Sequence, residues 1–328
     1  MATDGAALAP SPRGTVRAAV ALCLGGLYLP SIVLLGATAA FVWHGVALLT
    51  SSGQLGRAVL SEQNMLAGPA VIAFVALTVA CERAVPAVRR PLLARGHLHD
   101  ACFFVLFVVA VIPFDAVLGE GIATFVNAHA PFMAFASRPS WPGWLAVGLA
   151  LVLMDGCNWL THLADHRLPF LWRVHAVHHT QEEMSVLTTF RAHPLVHTVS
   201  TFNATLPVVA LTGYHPITPV LITGYLVLGA FPHANLGWSY GPLGRLLCSP
   251  AYHRIHHRCE GRQDVNLGIV LSIWDVLSRR AVFPVRGARP CATGLAGRPL
   301  EVEQQRPGYR PLHLLAGQLL EPFARRRS

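Results

Sequence analysis

Long apolar runs alternate with short polar links along most of this chain, and the pattern predicts helices that cross a membrane. A first apolar stretch covers about Ala18 to Val42 and is broken by Pro30. A second spans about Leu66 to Ala80, and a third about Ala101 to Leu118, with Pro113 and Asp115 inside it. A fourth covers about Trp144 to Leu160 and runs directly into His162. At 1.5 Å of rise per residue a spanning helix needs about 20 residues, and these stretches reach that length with their flanks. Residues 198–212 and 217–231 are a further apolar pair joined at "GYHP". They read either as two more spans or as a hairpin that dips into the membrane and returns, keeping both ends on one side. The expected fold is an all-α integral membrane protein of about four transmembrane helices and a membrane-embedded hairpin, with a histidine-rich helical cap.

Composition strengthens this picture. The chain has 328 residues, 53% of them hydrophobic and only 12% charged, with a mean hydropathy of +0.47. That balance is too apolar for an ordinary soluble enzyme of this length. The pattern divides the chain into a small, polar N-terminus over 1–15, expected to be disordered and without an obvious cleavable signal. Transmembrane helices follow over 16–143, then a histidine-rich domain over 144–280 and a basic tail over 281–328. The seven cysteines, Cys23, Cys81, Cys102, Cys157, Cys248, Cys259 and Cys291, form no C-x-x-C pair. They read as small core or membrane residues rather than as a disulfide framework or a thiolate metal site.

Arginine sets the expected orientation, since the chain has no lysine. Arg13 and Arg17 flank the first stretch, and Arg83, Arg89, Arg90 and Arg95 follow the second, while the opposite loops carry only Arg57 and Arg138. Positive charge stays on the cytoplasmic side, so the fourth span returns to the cytoplasm and delivers His162 there. Residues 276–328 hold ten arginines against Glu301, Glu303 and Glu321, a surplus of seven within the chain's +9. This segment reads as a solvated cytosolic tail or as a surface held against anionic headgroups, where each Arg contributes roughly 1 kcal/mol. Nucleic acid is disfavoured: aromatics are not interleaved with the basic residues and no recognition module is visible.

Candidate chemistry lies in three histidine blocks. The first is H-x-x-x-H, His162 and His166; the second is H-x-x-H-H, His175, His178 and His179; the third repeats that spacing as His253, His256 and His257. Residues three and four apart share a helix face, so each block presents rings to a common point. Eight imidazoles supply most of the donors needed by two transition-metal ions. Spacing alone does not separate iron from zinc.

The order of these blocks, with apolar segments before and between them, resembles the fatty acid hydroxylase superfamily, which includes sterol desaturases and sphingolipid hydroxylases. The resemblance covers roughly residues 100–280. "RAHP" (Arg191, His193, Pro194) is similar to the family's R-x-H-P element, "HANLG" (His233, Asn235) to its H-x-N segment, and "SPAYHRIHH" to its T/S-P-x-x-H-x-x-H-H block. "DVNLGIVLSIWD" resembles its D-x-N-x-G run, placing Asp264, Asn266, Gly268, Trp274 and Asp275. The chain departs from the pattern after Asp275, with "VLSRRAVFP", and at Val196, where many relatives have glutamate. The resemblance implies a non-haem di-iron oxidoreductase that uses dioxygen and an external electron donor to hydroxylate or desaturate a lipid. It adds His193 and His233 as metal ligands beside the three blocks.

Carboxylates are scarce near the blocks, in contrast to soluble di-iron bundles. Asp155, Asp264 and Asp275, with His197, Asn235 and Asn266, are therefore expected behind the ligands, the carboxylates accepting ring N–H groups. For Asp165 and Glu182 an ordinary cap or surface role is the expectation. His44, His97, His99, His129, His215 and His313 read as interfacial or loop residues, and Trp141, Trp144, Trp159 and Trp172 as an interfacial belt. Gly213, Gly224 and Gly229 read either as the wall of a lipid cleft or as helix-packing positions. No H-E-x-x-H, G-x-G-x-x-G or His-Pro-Gly-Gly occurs. A zinc protease, a Rossmann unit and a fused cytochrome b5 are thereby disfavoured, so electrons should come from a separate carrier, ferredoxin or cytochrome b5-like. The competing class is a histidine-lined divalent-metal transporter, which needs its ligands near the bilayer midplane.

Overall fold

The computed structural model describes residues 62–91, 94–131, 142–212, 218–285, 287–296, 311–320 and 322. The first apolar stretch, Arg57, Arg138, His44, His215 and Gly213 lie outside them. All regular elements among the described residues are helices: α1 (Glu62–Ala84), α2 (Arg95–Leu106), α3 (Ile112–His129), α4 (Gly143–Arg167), α5 (Pro169–His179), α6 (Pro194–Thr212), α7 (Thr218–Ala230), α8 (Pro250–His256), α9 (Ile273–Leu277) and α10 (Pro311–Leu320). Among them α4 is the one helix long and apolar enough to cross a membrane by length and composition. The first expected span lies outside the described residues, and of the other three only the fourth stretch, as α4, meets that measure.

Local sequence explains several of these boundaries. The third apolar stretch is divided between α2 and α3 by a π-helical turn at Phe107–Val111. Pro113 has no N–H to offer the carbonyl four residues back, and the ladder widens one turn before it. Between α4 and α5, Leu168 is extended at φ −95° and ψ 120° because it precedes Pro169. Pro169 then opens α5, where its missing donor costs nothing. That break lets α5 fold back on α4 and face its histidines. The second apolar pair forms two helices, with α6 lying along α4 and α3 and α7 along α1.

Apolar side chains close the body around these helices. Val71, Val75, Phe107, Val111, Val186, Phe190 and Leu236 form one buried cluster joining α1, the π turn, the 3-10 turn that follows the second histidine block and the segment after His233. Leu118, Ile122, Val126, Phe202 and Val209 join α3 to α6. Gly156 lets Trp274 approach α4, since a Cβ there would lie 3.1 Å from the indole. The C-terminal segment is more than a basic tail. Its helix α10 docks on α2, and Gln318 Oε1 lies 2.7 Å from His99 Nε2. His99 is therefore a fully buried helix contact rather than a loop residue.

Candidate metal centre

Two adjoining groups of imidazoles sit where α4, α5 and α8 meet. His162, His166, His175, His179 and His256 form group A, and His178, His233, His253 and His257 form group B, each with its ligand atoms within 4.8 Å of one another. The second and third blocks are shared reciprocally. The i, i+4 pair His175 and His179 faces group A while His178 turns to group B. The i, i+4 pair His253 and His257 faces group B while His256 turns to group A. His162 and His166 complete the first group, and His233, on a 3-10 turn after α7, completes the second. The rings of His179 and His257 stack across the divide at 4.6 Å.

Distances within the groups fit a central cation. His179 Nε2 is 3.2 Å from the Nε2 atoms of both His166 and His175. His233 Nε2 lies 3.1 Å from that of His178 and 3.0 Å from that of His253, which lies 3.2 Å from that of His257. Nitrogens about 2.1 Å from a metal and about 90–100° apart are separated by about 3.0–3.2 Å. A ring nitrogen carries one in-plane proton or one lone pair, so His179, His233 and His253 cannot satisfy two such neighbours each by hydrogen bonding. A cation between them satisfies all. His162 Nε2 and His256 Nε2 are buried without a partner among the described residues, as such a site requires.

Main-chain carbonyls fix the tautomers. Nδ1 of His162 lies 2.8 Å from Leu267 O, that of His256 2.9 Å from Val265 O, and that of His178 3.1 Å from Arg191 O. With Nδ1–H donated outward, each Nε2 keeps its lone pair for the centre. Burial, reinforced by neighbouring imidazoles, holds His175, His178, His179, His253 and His257 well below the ordinary histidine range. Burial also lowers His256 well below it and pushes His233 down to about 3. These rings stay neutral at pH 7, the form that binds metal.

The carboxylates act one step further out than expected. Asp155, Asp264 and Asp275 accept no ring N–H from the two groups. Asp275 instead accepts Leu267 N at 3.0 Å, Gly268 N at 2.7 Å, Trp159 Nε1 at 2.9 Å and Tyr252 Oη at 3.0 Å. Asp155 accepts Val270 N and Leu271 N at 3.1 Å, Trp274 Nε1 at 2.8 Å and Tyr225 Oη at 2.8 Å. Together they clamp the loop whose carbonyls orient His162 and His256. Trp159 is therefore buried in this clamp and not in an interfacial belt. Asp264 pairs with Arg167, Arg262 and Arg280.

Two asparagines hold turns. Asn266, at φ 56°, donates to Tyr252 O and Val282 O. Asn235 exchanges hydrogen bonds with Val88 and accepts from Arg254. His197 packs against Phe107, ring centroids 4.8 Å apart and planes tilted by 54°, and belongs to neither group.

His193 is placed outside both groups, its Nε2 3.2 Å from Leu319 O and its Nδ1 accepting from Leu195 N. The start of α6 carries it towards α10 rather than towards the rings. Asp165, read from sequence as a cap or surface residue, is buried with Oδ2 3.6 Å from His175 Nδ1. Its place one residue before His166 was the available signal. Asp100 was missed altogether: it is fully buried, pairs with Arg191, and accepts from Thr188 Oγ1 at 3.1 Å. Arg191 thereby holds the backbone carbonyl that orients His178. Trp172 is half-buried over group A, 5.1 Å from His166 and 5.5 Å from His179 by ring centroids.

Residues 147–279 match the fatty acid hydroxylase family model. This segment is a fatty acid hydroxylase domain. It contains every histidine of groups A and B. The chain is 27% identical over 157 residues to an ornithine lipid hydroxylase of Rhizobium tropici, covering 48% of this chain and 47% of that protein. It is 31% identical over 153 residues to an alkylglycerol monooxygenase of Danio rerio, covering 45% and 32%, respectively. A fatty acid hydroxylase of a Lecanicillium species is 31% identical over 155 residues, covering 42% of each. The hydroxylase domain and its margins thus span from about a third to about half the length of these relatives. No solved structure matches the chain significantly.

Proposed function

We propose that this protein is a membrane-bound, dioxygen-dependent oxidoreductase that hydroxylates a lipid at a di-iron centre. The observation that carries this reading is the pair of adjoining buried groups, five and four imidazoles with Nε2 spacings of 3.0–3.2 Å. His162, His166, His175, His179 and His256 would hold one ion, and His178, His233, His253 and His257 the other. When bound, two iron ions would supply activation of dioxygen, one oxygen atom entering a C–H bond and the other leaving as water, with two electrons from a carrier and two protons from solvent.

The chain's own residues do the remaining work. Neutral imidazoles leave the centre strongly positive, which suits attack on an unactivated C–H bond. Carbonyls of Val265, Leu267 and Arg191 hold three rings in one orientation, so the donor set is preorganised. The apolar helices α4, α6 and α7 keep bulk water from the reacting carbon. The active site is proposed to face the cytoplasm, where a separate carrier, ferredoxin or cytochrome b5-like, would dock. The names of the relatives favour hydroxylation over desaturation and an enzyme over a metal transporter.

The test pairs metal analysis with product analysis. Purified protein should contain two iron ions per chain, and membranes containing it should form lipid bearing one atom from isotopically labelled dioxygen. One metal ion or none, under conditions that retain iron, would sink the di-metal assignment. Metal uptake into vesicles without any oxidised lipid would favour the transporter.

A further inference from the structure

A basic cavity lies beside the histidine groups and takes no part in them. It has a volume of about 490 Å³, with Arg83, Arg89, Arg90 and His97 on its walls and Leu98 and Leu187 among its apolar lining. Its one lining carboxylate, Glu82, is committed to the backbone, Oε1 accepting Val186 N at 2.7 Å and Asn235 N at 2.8 Å. Arg90 is committed as well, to Glu183 at 3.3 Å and to Glu182 O at 3.2 Å. Arg83 gives one N–H to Arg90 O at 2.8 Å, and neither it nor Arg89 has a carboxylate partner among the described residues. Two exposed guanidiniums without a carboxylate partner thus stand on one lining, open to an anion. Their planar forks match the oxygens of phosphate and carboxylate.

The surroundings say what carries that anion. The helices bounding the cavity expose large apolar side chains, Ile72 and Leu77 on α1 and Leu98 and Val105 on α2, with Leu77 70% and Val105 58% accessible. Apolar surface of that kind, carried on the same two helices that line the basic cavity, suits an amphiphile better than a soluble anion. We propose that this cavity holds the phosphate or carboxylate of an anionic membrane lipid's headgroup, with its acyl chains lying along α1 and α2. Asn235 lines the cavity and follows His233 by two residues, so a lipid held there flanks group B. The site stands whether or not the histidine groups carry iron, and it is tested by binding alone.

The experiment follows thermal unfolding of the full chain in neutral detergent micelles. Phosphatidylglycerol should raise the unfolding temperature by at least about 2 °C, whereas phosphatidylcholine should not. The double variant Arg83→Gln/Arg89→Gln should lose that shift, and Arg289→Gln, an exposed change outside the cavity, should keep it. Should the double variant fail to fold, Arg89→Gln alone, on an exposed side chain, should still reduce the shift. An equal response to phosphatidylcholine, an undiminished shift in the Arg89 variants, or an equal loss in Arg289→Gln would overturn the site. A shift of the same size with inorganic phosphate would overturn the lipid and leave a soluble anion as the ligand.

Discussion

At the scale of single residues, the site depends on imidazoles that are kept neutral and aimed. His256→Ala removes a ring that Val265 O locks onto group A, and the expected outcome is loss of metal and turnover. His193→Ala, whose ring sits on Leu319 O, should keep its metal content. Loss of iron from the second variant with retention in the first would reverse this assignment of roles. Asp165→Asn removes the carboxylate beside His175 Nδ1, and metal affinity should fall about 10–100-fold by titration.

The same imidazoles give the metal-free protein a pH dependence with a definite sign. His175, His178, His179, His253, His256 and His257 are lowered by burial, and His233 falls to about 3. In the unfolded chain they protonate near the ordinary value of about 6.5, so below it the unfolded state binds more protons. Stability is then fully present above that value and declines as pH falls towards the folded-state values. Metal-free protein should melt at a lower temperature at about pH 5 than at about pH 7. An unchanged melting temperature over that interval would mean that the rings are not held neutral.

At the scale of elements, the 265–271 loop is the part on which the site turns. Its carbonyls aim His162 and His256, and Asp275 and Asp155 hold its N–H groups. Gly268 is required there, because a Cβ would meet Leu271 O at 2.6 Å. Asp275→Ala strands two buried N–H groups, an indole and a phenol, and should cost at least about 2 kcal/mol in unfolding free energy. Stability equal to wild type would show that the loop is held by something else. On α7 the two described glycines separate. A Cβ at Gly224 would have nothing within 4 Å, while at Gly229 it would meet Ile269 at 2.8 Å. Gly224→Leu should leave folding and metal intact, and Gly229→Leu should lower the melting temperature by disturbing Ile269 within the clamped loop.

At the scale of the whole molecule, a buried ion pair ties the outer helices to the centre. Arg191 and Asp100 are both fully buried; α2 supplies Asp100, and the chain just before α6 supplies Arg191, whose carbonyl aims His178. Arg191→Met leaves Asp100 buried and unpaired, and should cost about 3–5 kcal/mol. It should also weaken metal binding in group B before group A, which metal titration with two resolved steps would show. Equal weakening of both groups would mean that the pair stabilises the fold without acting through His178.

Much of this was legible in the sequence because it is local. Apolar runs mark α1, α4 and the α6–α7 pair. The i, i+4 spacing of His162 and His166, of His175 and His179, and of His253 and His257 puts each pair on one face, while Pro169 and Pro250 open α5 and α8. The match of motif order to one superfamily is local as well, being a matter of which residue types follow one another. What only the tertiary structure decided is which rings share a centre, because neighbours such as His178 and His179 point to different groups once α5 folds back on α4. It also decided that carbonyls rather than carboxylates orient the rings, since Leu267 O and His162 are 105 residues apart. Asp100 and Arg191, 91 residues apart, carry no mark in the sequence that pairs them. Spacing along a chain fixes the face on which a side chain stands, and only the packing of one face against another fixes what it meets.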